Sequence, residues 1–210
     1  MIDCVVYDLD GTLIDSASLI HSILNRRRAQ LKLTPIERHD LIPWLSLGGN
    51  DLIAAALQLS SNQLEVELHN FREQYAAIPT PLDTVYPGLH DVLYQLKRAG
   101  VRLAICTNKP RNLAYKVLYE TQLLDFFAFM CAGGDLGMKK PHPDTLQACI
   151  DFLCVSPSRT LYVGDSLIDQ QLSHLVGVPF VQFLPGYDDG VDTRQVYYKM
   201  SNHQELLFLV

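Results

Sequence analysis

The chain has 210 residues, 48% of them hydrophobic, and a formal net charge of -6 with acidic and basic groups interspersed. That length predicts one large domain or one domain carrying a smaller insertion, with a sizeable buried core. The mixed, mildly acidic charge excludes the electrostatic footprint of a nucleic-acid or anionic-lipid binder, and no apolar run reaches the length of a membrane span.

Residues 4–7 form the first short apolar run, and the polar string Asp8-Leu9-Asp10-Gly11-Thr12 follows it directly. Such runs, bounded by polar or glycine residues, predict buried parallel strands. From about residue 16 to residue 82 the pattern changes to helical periodicity. Leu19, Ile20, Ile23 and Leu24 share one face, as do Leu52, Ile53, Ala56 and Leu57. Leu64, Leu68, Phe71 and Tyr75 form a third stripe, introduced by the N-cap candidates Ser60 and Ser61. The basic run Arg26-Arg27-Arg28 reads as a solvated face of a helix, with a ligand site as the lesser alternative. Asp15-Ser16 and Pro79-Thr80-Pro81-Leu82 read as two hinges.

Alternation then sets in. A helix is expected at residues 89–99 with Gly100 as its C-cap, a strand at 102–106, a helix at 112–121 and a strand at 129–131. Further on come a helix at 143–154, a strand at 160–163, a helix at 167–176, a strand at 179–183 and a short edge strand at 196–199. Only residues 186–193, rich in Gly and Asp, look disposed to disorder. The pattern predicts an α/β fold, a doubly wound parallel sheet of Rossmann-like type with an inserted all-helical cap. Residues 1–15 and 83–210 would form the core domain and residues 16–82 the cap.

Five cysteines, Cys4, Cys106, Cys131, Cys149 and Cys154, show no metal-site spacing. Cys4 and Cys106 lie in apolar runs as small hydrophobes, so a reducing compartment fits. Asp3 and Asp8 stand where a secretory signal needs basic residues, and the expectation is a cytoplasmic protein.

Ligands of open α/β sheets bind beyond the carboxyl ends of the strands. Four polar groups fall there: Asp8 and Asp10; Thr107 and Asn108; Lys139 and Lys140 before Pro141-His142-Pro143; and Asp165, Ser166 and Asp169 after Gly164. Several carboxylates together repel one another unless a cation sits among them, and a hard divalent ion with oxygen ligands is the natural solution. The same ion suits a phosphoryl group, while one carboxylate is free to attack and a second can move the proton.

Asp8-Leu9-Asp10-Gly11-Thr12-Leu13 resembles the first motif of the haloacid dehalogenase-like hydrolases. Cys106-Thr107-Asn108-Lys109-Pro110 resembles their second motif, Lys140-Pro141-His142-Pro143 the third, and Gly164-Asp165-Ser166-Leu167-Ile168-Asp169 the fourth. The helical insertion and Tyr86-Pro87-Gly88 after it are similar to the phosphoglycolate phosphatase-like branch. The resemblance implies Asp8 as nucleophile, Asp10 as general acid and base, and phosphate contacts from Thr107, Asn108 and Lys140, with Lys139 as the alternative lysine. It implies Mg²⁺ on Asp8, Asp10 (through its carbonyl) and Asp165, with Asp169 in support. The expected substrate is a small phosphorylated metabolite, phosphoglycolate-like or a sugar phosphate, and the expected assembly a monomer or homodimer. A sugar-phosphate mutase is the alternative activity, and a non-catalytic binding protein a more distant one. One departure is Gln170-Gln171-Leu172-Ser173-His174-Leu175, where the branch it resembles usually has small, Ala-rich positions; it predicts altered packing beside the fourth motif. Arg26 to Arg28 and the loop Leu47-Gly48-Gly49-Asn50 are the cap features that could approach a substrate.

Overall fold

In the computed structural model, which describes residues 2–210, six parallel strands form one sheet. They are β1 (Cys4–Tyr7), β2 (Arg102–Pro110), β3 (Phe129–Gly133), β4 (Thr160–Gly164), β5 (Phe180–Phe183) and β6 (Tyr198–Met200), in the order β3-β2-β1-β4-β5-β6. Both faces are covered. Val5 and Tyr7 enter one apolar cluster while Cys4 and Val6 enter the other, which is why β1 reads as an unbroken apolar run. The sheet grows outward from β1, first to β2 and β3 and then back past it to β4, β5 and β6. That reversal places the ligand crevice at the carboxyl end of β1.

The core helices are α5 (Leu89–Arg98), α6 (Arg111–Glu120), α7 (Asp144–Leu153) and α8 (Leu167–Val176). Gly100, with φ +81°, ends α5 in the left-handed turn expected of it. Strand β2 runs four residues beyond its apolar stretch, to Pro110, and its register against β3 shifts between Cys106 and Pro110. Thr107 and Asn108 therefore lie within an irregular strand end, a bulge that re-aims side chains, and not in a loop after it.

Between β1 and α5 the chain forms four helices, α1 (Ala17–Gln30), α2 (Arg38–Leu45), α3 (Gly49–Leu57) and α4 (Ser61–Ala77). Ser60 stands at the start of α4 without a side-chain capping bond; the side chain of Ser61 lies outside the described residues. The two connections of this helical segment run side by side. Asp15 N–H donates to Thr84 O at 2.7 Å, Tyr86 N–H donates to Leu13 O at 3.2 Å, and Ile14 bridges Val85 antiparallel. Ile53, Ala56 and Tyr75 are buried and continuous with the apolar cluster on one face of the sheet.

The basic run departs from a simple solvated face. Arg26 is exposed, but Arg27 pairs with Glu67, and Arg28 is buried, donating to the carbonyls of Thr34 and Ala56. Its guanidinium satisfies backbone oxygens where α1 and α3 meet, so the run is structural glue with one solvated member. All five cysteines are free, and among the described residues no helix is long and apolar enough to cross a membrane.

His203, in a short 3₁₀ turn after β6, is buried, stacks on Phe183 with ring centroids 4.4 Å apart, and bonds through Nε2 to the Thr12 carbonyl at 3.0 Å. Burial lowers its pKa from 6.5 to about 4, against the smaller opposite effect of the Thr12 carbonyl. The unfolded chain therefore binds a proton below pH 6.5 that the folded chain refuses until about 4. Relative to a His203→Gln variant, wild type is expected to lose roughly 3 kcal/mol of stability over that interval, measurable from unfolding midpoints against pH.

Candidate active site

The β1 ladder carries Asp8 to the sheet edge, where its N–H donates to Val163 O of β4 at 2.9 Å. The chain then turns tightly over Asp165. Gly11 has φ +81°, and a Cβ there would stand 2.1 Å from Asp165 Oδ2, so only glycine fits. Asp165 is fixed from both sides: Thr12 donates its hydroxyl to Oδ1 at 2.9 Å, and Tyr187 N–H donates to Oδ2 at 2.7 Å.

Asp169 caps α8 reciprocally with Ser166. Its Oδ2 receives the Ser166 hydroxyl at 2.6 Å, while Oδ1 receives Lys140 Nζ at 2.7 Å and the Tyr162 hydroxyl at 2.8 Å. Lys140 Nζ lies equally close, 2.7 Å, to Asp8 Oδ1. One ammonium thus bridges two carboxylates. Lys139 points away, exposed, and pairs with Asp51 of α3. Asp8, Asp165 and Asp169 each offer an oxygen within 4.8 Å of the others.

Thr107 is buried beside Asp8, and its hydroxyl accepts the Lys109 N–H at 3.2 Å. The Asn108 side chain is committed elsewhere. Its Oδ1 accepts Lys140 N–H at 2.7 Å, and its Nδ2 donates to the carbonyls of Ser46 and Lys140 at 3.2 and 3.3 Å. It ties the third-motif lysine to the end of α2, which leaves only its backbone for a ligand.

Electrostatics follow from crowding. Burial raises the Asp8 pKa to about 7; Lys140 lowers it, but Asp169 draws on the same ammonium and works the other way. Burial, then Asp169 and Asp8, hold Asp165 well above the usual carboxylate range. Burial disfavours the Lys140 charge, yet Asp169 and Asp8 outweigh it and keep the ammonium charged. Lys140 pairs with two of the three buried carboxylates and Asp165 has only hydrogen-bond donors, so the set is short of positive charge.

Several residues at the site carried no role in the sequence reading. Lys109 Nζ donates to both oxygens of Asp10, at 2.9 and 3.1 Å, and to the Tyr75 hydroxyl of α4 at 2.9 Å. Tyr75 looked like one more member of an apolar stripe. The stretch 186–193, expected to be disposed to disorder, is held by hydrogen bonds to several separate segments. Tyr187 reaches Asp165 through its N–H and the start of α1 through its hydroxyl, which accepts Ala17 N–H at 3.0 Å. Asp189 accepts Leu167 N–H at 2.6 Å and the Ser46 hydroxyl at 2.6 Å. Gln170, the polar departure in α8, is buried and exchanges two 2.9 Å bonds with the backbone of Asp192. It anchors this loop, which explains why a small residue is absent there.

Asp8, Asp10, Thr107 and Lys140 face a pocket whose opposite wall comes from the helical segment, including Leu45, Gly48, Gly49, Phe71 and Arg72. The Gly48-Gly49 turn between α2 and α3 thus serves both as a helix connection and as pocket lining.

The haloacid dehalogenase-like hydrolase family matches residues 5–183. A phosphoglycolate phosphatase of Cereibacter sphaeroides is 35% identical over 208 residues, covering 96% of this chain and 94% of the relative. One of Pseudomonas putida is 33% identical over 193 residues, covering 89% and 71%. Among solved structures, a predicted phosphoglycolate phosphatase from Haemophilus somnus superposes with a TM-score of 0.90 at 22% identity, covering 99% and 97% of the two chains. CbbY of Rhodobacter sphaeroides in complex with phosphate gives 0.80 at 23% identity, covering 98% and 96%. The chain belongs to the haloacid dehalogenase-like hydrolases, in their phosphoglycolate phosphatase-like branch, and is a phosphoric monoester hydrolase.

Proposed function

We propose that the protein hydrolyses a small, phosphoglycolate-like phosphomonoester through a phosphorylated Asp8, inside a cap formed by residues 16–82. The observation that carries this reading is the Asp8–Lys140–Asp169 bridge beside Asp165, with Asp8 and Lys140 lining a pocket closed on its other side by the helical segment. In the first half-reaction an Asp8 carboxylate oxygen bonds to phosphorus as the ester P–O bond breaks, and Asp10 gives its proton to the leaving oxygen. In the second, Asp10 takes a proton from water, whose oxygen displaces Asp8 and releases phosphate. Lys109 fixes the Asp10 carboxylate toward the pocket. Lys140, the Thr107 hydroxyl and the Asn108 backbone would hold the phosphoryl oxygens.

The carboxylate cluster fits a divalent cation, because its buried oxygens outnumber the charge Lys140 can offset. Asp8, the Asp10 carbonyl and Asp165 would hold Mg²⁺, and Asp169, with both oxygens occupied, would keep Lys140 beside Asp8. The ion would supply neutralising charge for the phosphoryl group. A cytoplasmic location fits the free thiols, and a monomer or homodimer would suffice for a site built within one chain.

A phosphate-release screen over many phosphate esters tests the reading. Release is expected with Mg²⁺ and is expected to fall at least a hundredfold with EDTA, the scale set by losing charge stabilisation at a developing anion. Turnover that survives EDTA sinks the metal assignment.

A further inference from the structure

Three cationic side chains line the pocket, and two are already neutralised. Lys140 is held by Asp8 and Asp169, and Lys109 by Asp10. The third is Arg72 of α4, which makes no hydrogen bond or ion pair with any described residue. It is half-buried, on a wall otherwise built from Leu52, Leu68 and Phe71. A guanidinium partly withdrawn from water with no counter-charge is costly unless an anion joins it. Its neighbours offer none, so the anion would come with the ligand.

Position tells which part of the ligand. Tyr75 lies three residues after Arg72, on the same face of α4, and its hydroxyl meets Lys109 at the sheet edge. Arg72 stands about 4.5 Å further along the helix axis, away from Thr107 and Lys140. A phosphoryl group seated at Asp8 and Lys140 would leave Arg72 facing the portion of the substrate beyond it. None of the basic run takes this place: Arg26 is exposed and outside the pocket lining, Arg27 is paired with Glu67, and Arg28 is buried on backbone carbonyls.

We infer that Arg72 is a specificity-determining residue that binds a second anionic group on the alcohol portion of the phosphomonoester, a carboxylate or a second phosphate. The inference rests on the phosphatase reading above. Its planar fork can hold either oxyanion through two parallel N–H bonds, which a lysine cannot reproduce. Esters whose alcohol portion is neutral leave the guanidinium unpaired and lose that contact.

The test compares steady-state kinetics of wild type, Arg72→Ala and Arg72→Lys with Mg²⁺ on four esters. These are 2-phosphoglycolate, fructose 1,6-bisphosphate, ethylene glycol monophosphate and p-nitrophenyl phosphate. Wild type is expected to favour at least one doubly anionic ester over ethylene glycol monophosphate by tenfold or more in kcat/KM. Arg72→Ala is expected to erase that ratio, through KM and not kcat, and Arg72→Lys to restore part of it. Whichever of the two doubly anionic esters shows the effect identifies the second anion as carboxylate or phosphate. A wild-type ratio near one, or a ratio that Arg72→Ala leaves intact, overturns the inference while the phosphatase reading stands. Absence of phosphate release from every ester with wild type overturns the phosphatase reading, and this inference with it.

Discussion

Asp8→Asn is expected to lower kcat by about 10⁴-fold or more, the scale on which losing a catalytic nucleophile is felt. The amide keeps the shape of the carboxylate but cannot attack phosphorus, so no phosphorylated enzyme should be detectable by mass spectrometry. The fold should not suffer. Asp8 has a folded pKa raised from 3.8 to about 7, because burial outweighs the Lys140 attraction. A carboxyl with a raised folded pKa favours the native state when protonated, so its ionisation erodes stability as pH climbs from about 4 to about 7. Metal-free Asp8→Asn should therefore melt above metal-free wild type at pH 8, and the difference should shrink toward pH 4. Near-native turnover in this variant would refute the nucleophile assignment.

Lys140→Ala should fail in both respects. The lysine is the shared partner of Asp8 and Asp169, all three nearly inaccessible to water. Removing one partner of a buried ionic set leaves uncompensated charge and costs about 3–5 kcal/mol. Saturating Mg²⁺ should return part of this by taking over the neutralisation, a rescue visible in calorimetry. Activity should drop about 10²–10³-fold even with metal, since a preformed cation at the phosphoryl oxygens is lost. Lys139→Ala is the contrast. Its exposed pair with Asp51 is worth at most about 1 kcal/mol, and its loss should leave melting nearly unchanged. Equal effects at the two positions would show that Lys140 does not act as the site cation.

The sheet was legible because its strands are sandwiched between helices, so β1, β2 and β4 read as solid apolar runs. The site was legible for the same reason: polar residues at the ends of such runs, Asp8, Thr107 and Asp165, stand out against them. What stayed hidden depends on contacts between distant segments. Nothing in the stripe of α4 distinguishes Tyr75 from Leu68, because its hydroxyl matters only once Lys109 arrives beneath it. Tyr187 and Asp189 sat in a stretch whose Gly and Asp content suggests irregular backbone. Composition cannot reveal that Asp165 accepts the Tyr187 N–H, or that Leu167 N–H and the Ser46 hydroxyl donate to the Asp189 carboxylate. Arg28 looked solvated because a run of arginines gives no hint of the two carbonyls waiting for one of them. Lys140 could be preferred over Lys139 from its place before Pro141, but only the packing of β4 and α8 shows why one is buried and the other is not.

The paired connections at Asp15–Thr84 and Leu13–Tyr86 let the insertion leave and return at one point of the core. A segment that leaves and returns at one point imposes almost no span on its host, and each doubling of such a loop adds only about 0.6 kcal/mol of closure entropy. The connection itself therefore constrains the insertion little, and what joins the two is the set of contacts Asn108–Ser46, Lys109–Tyr75 and Asp189–Ser46 across them.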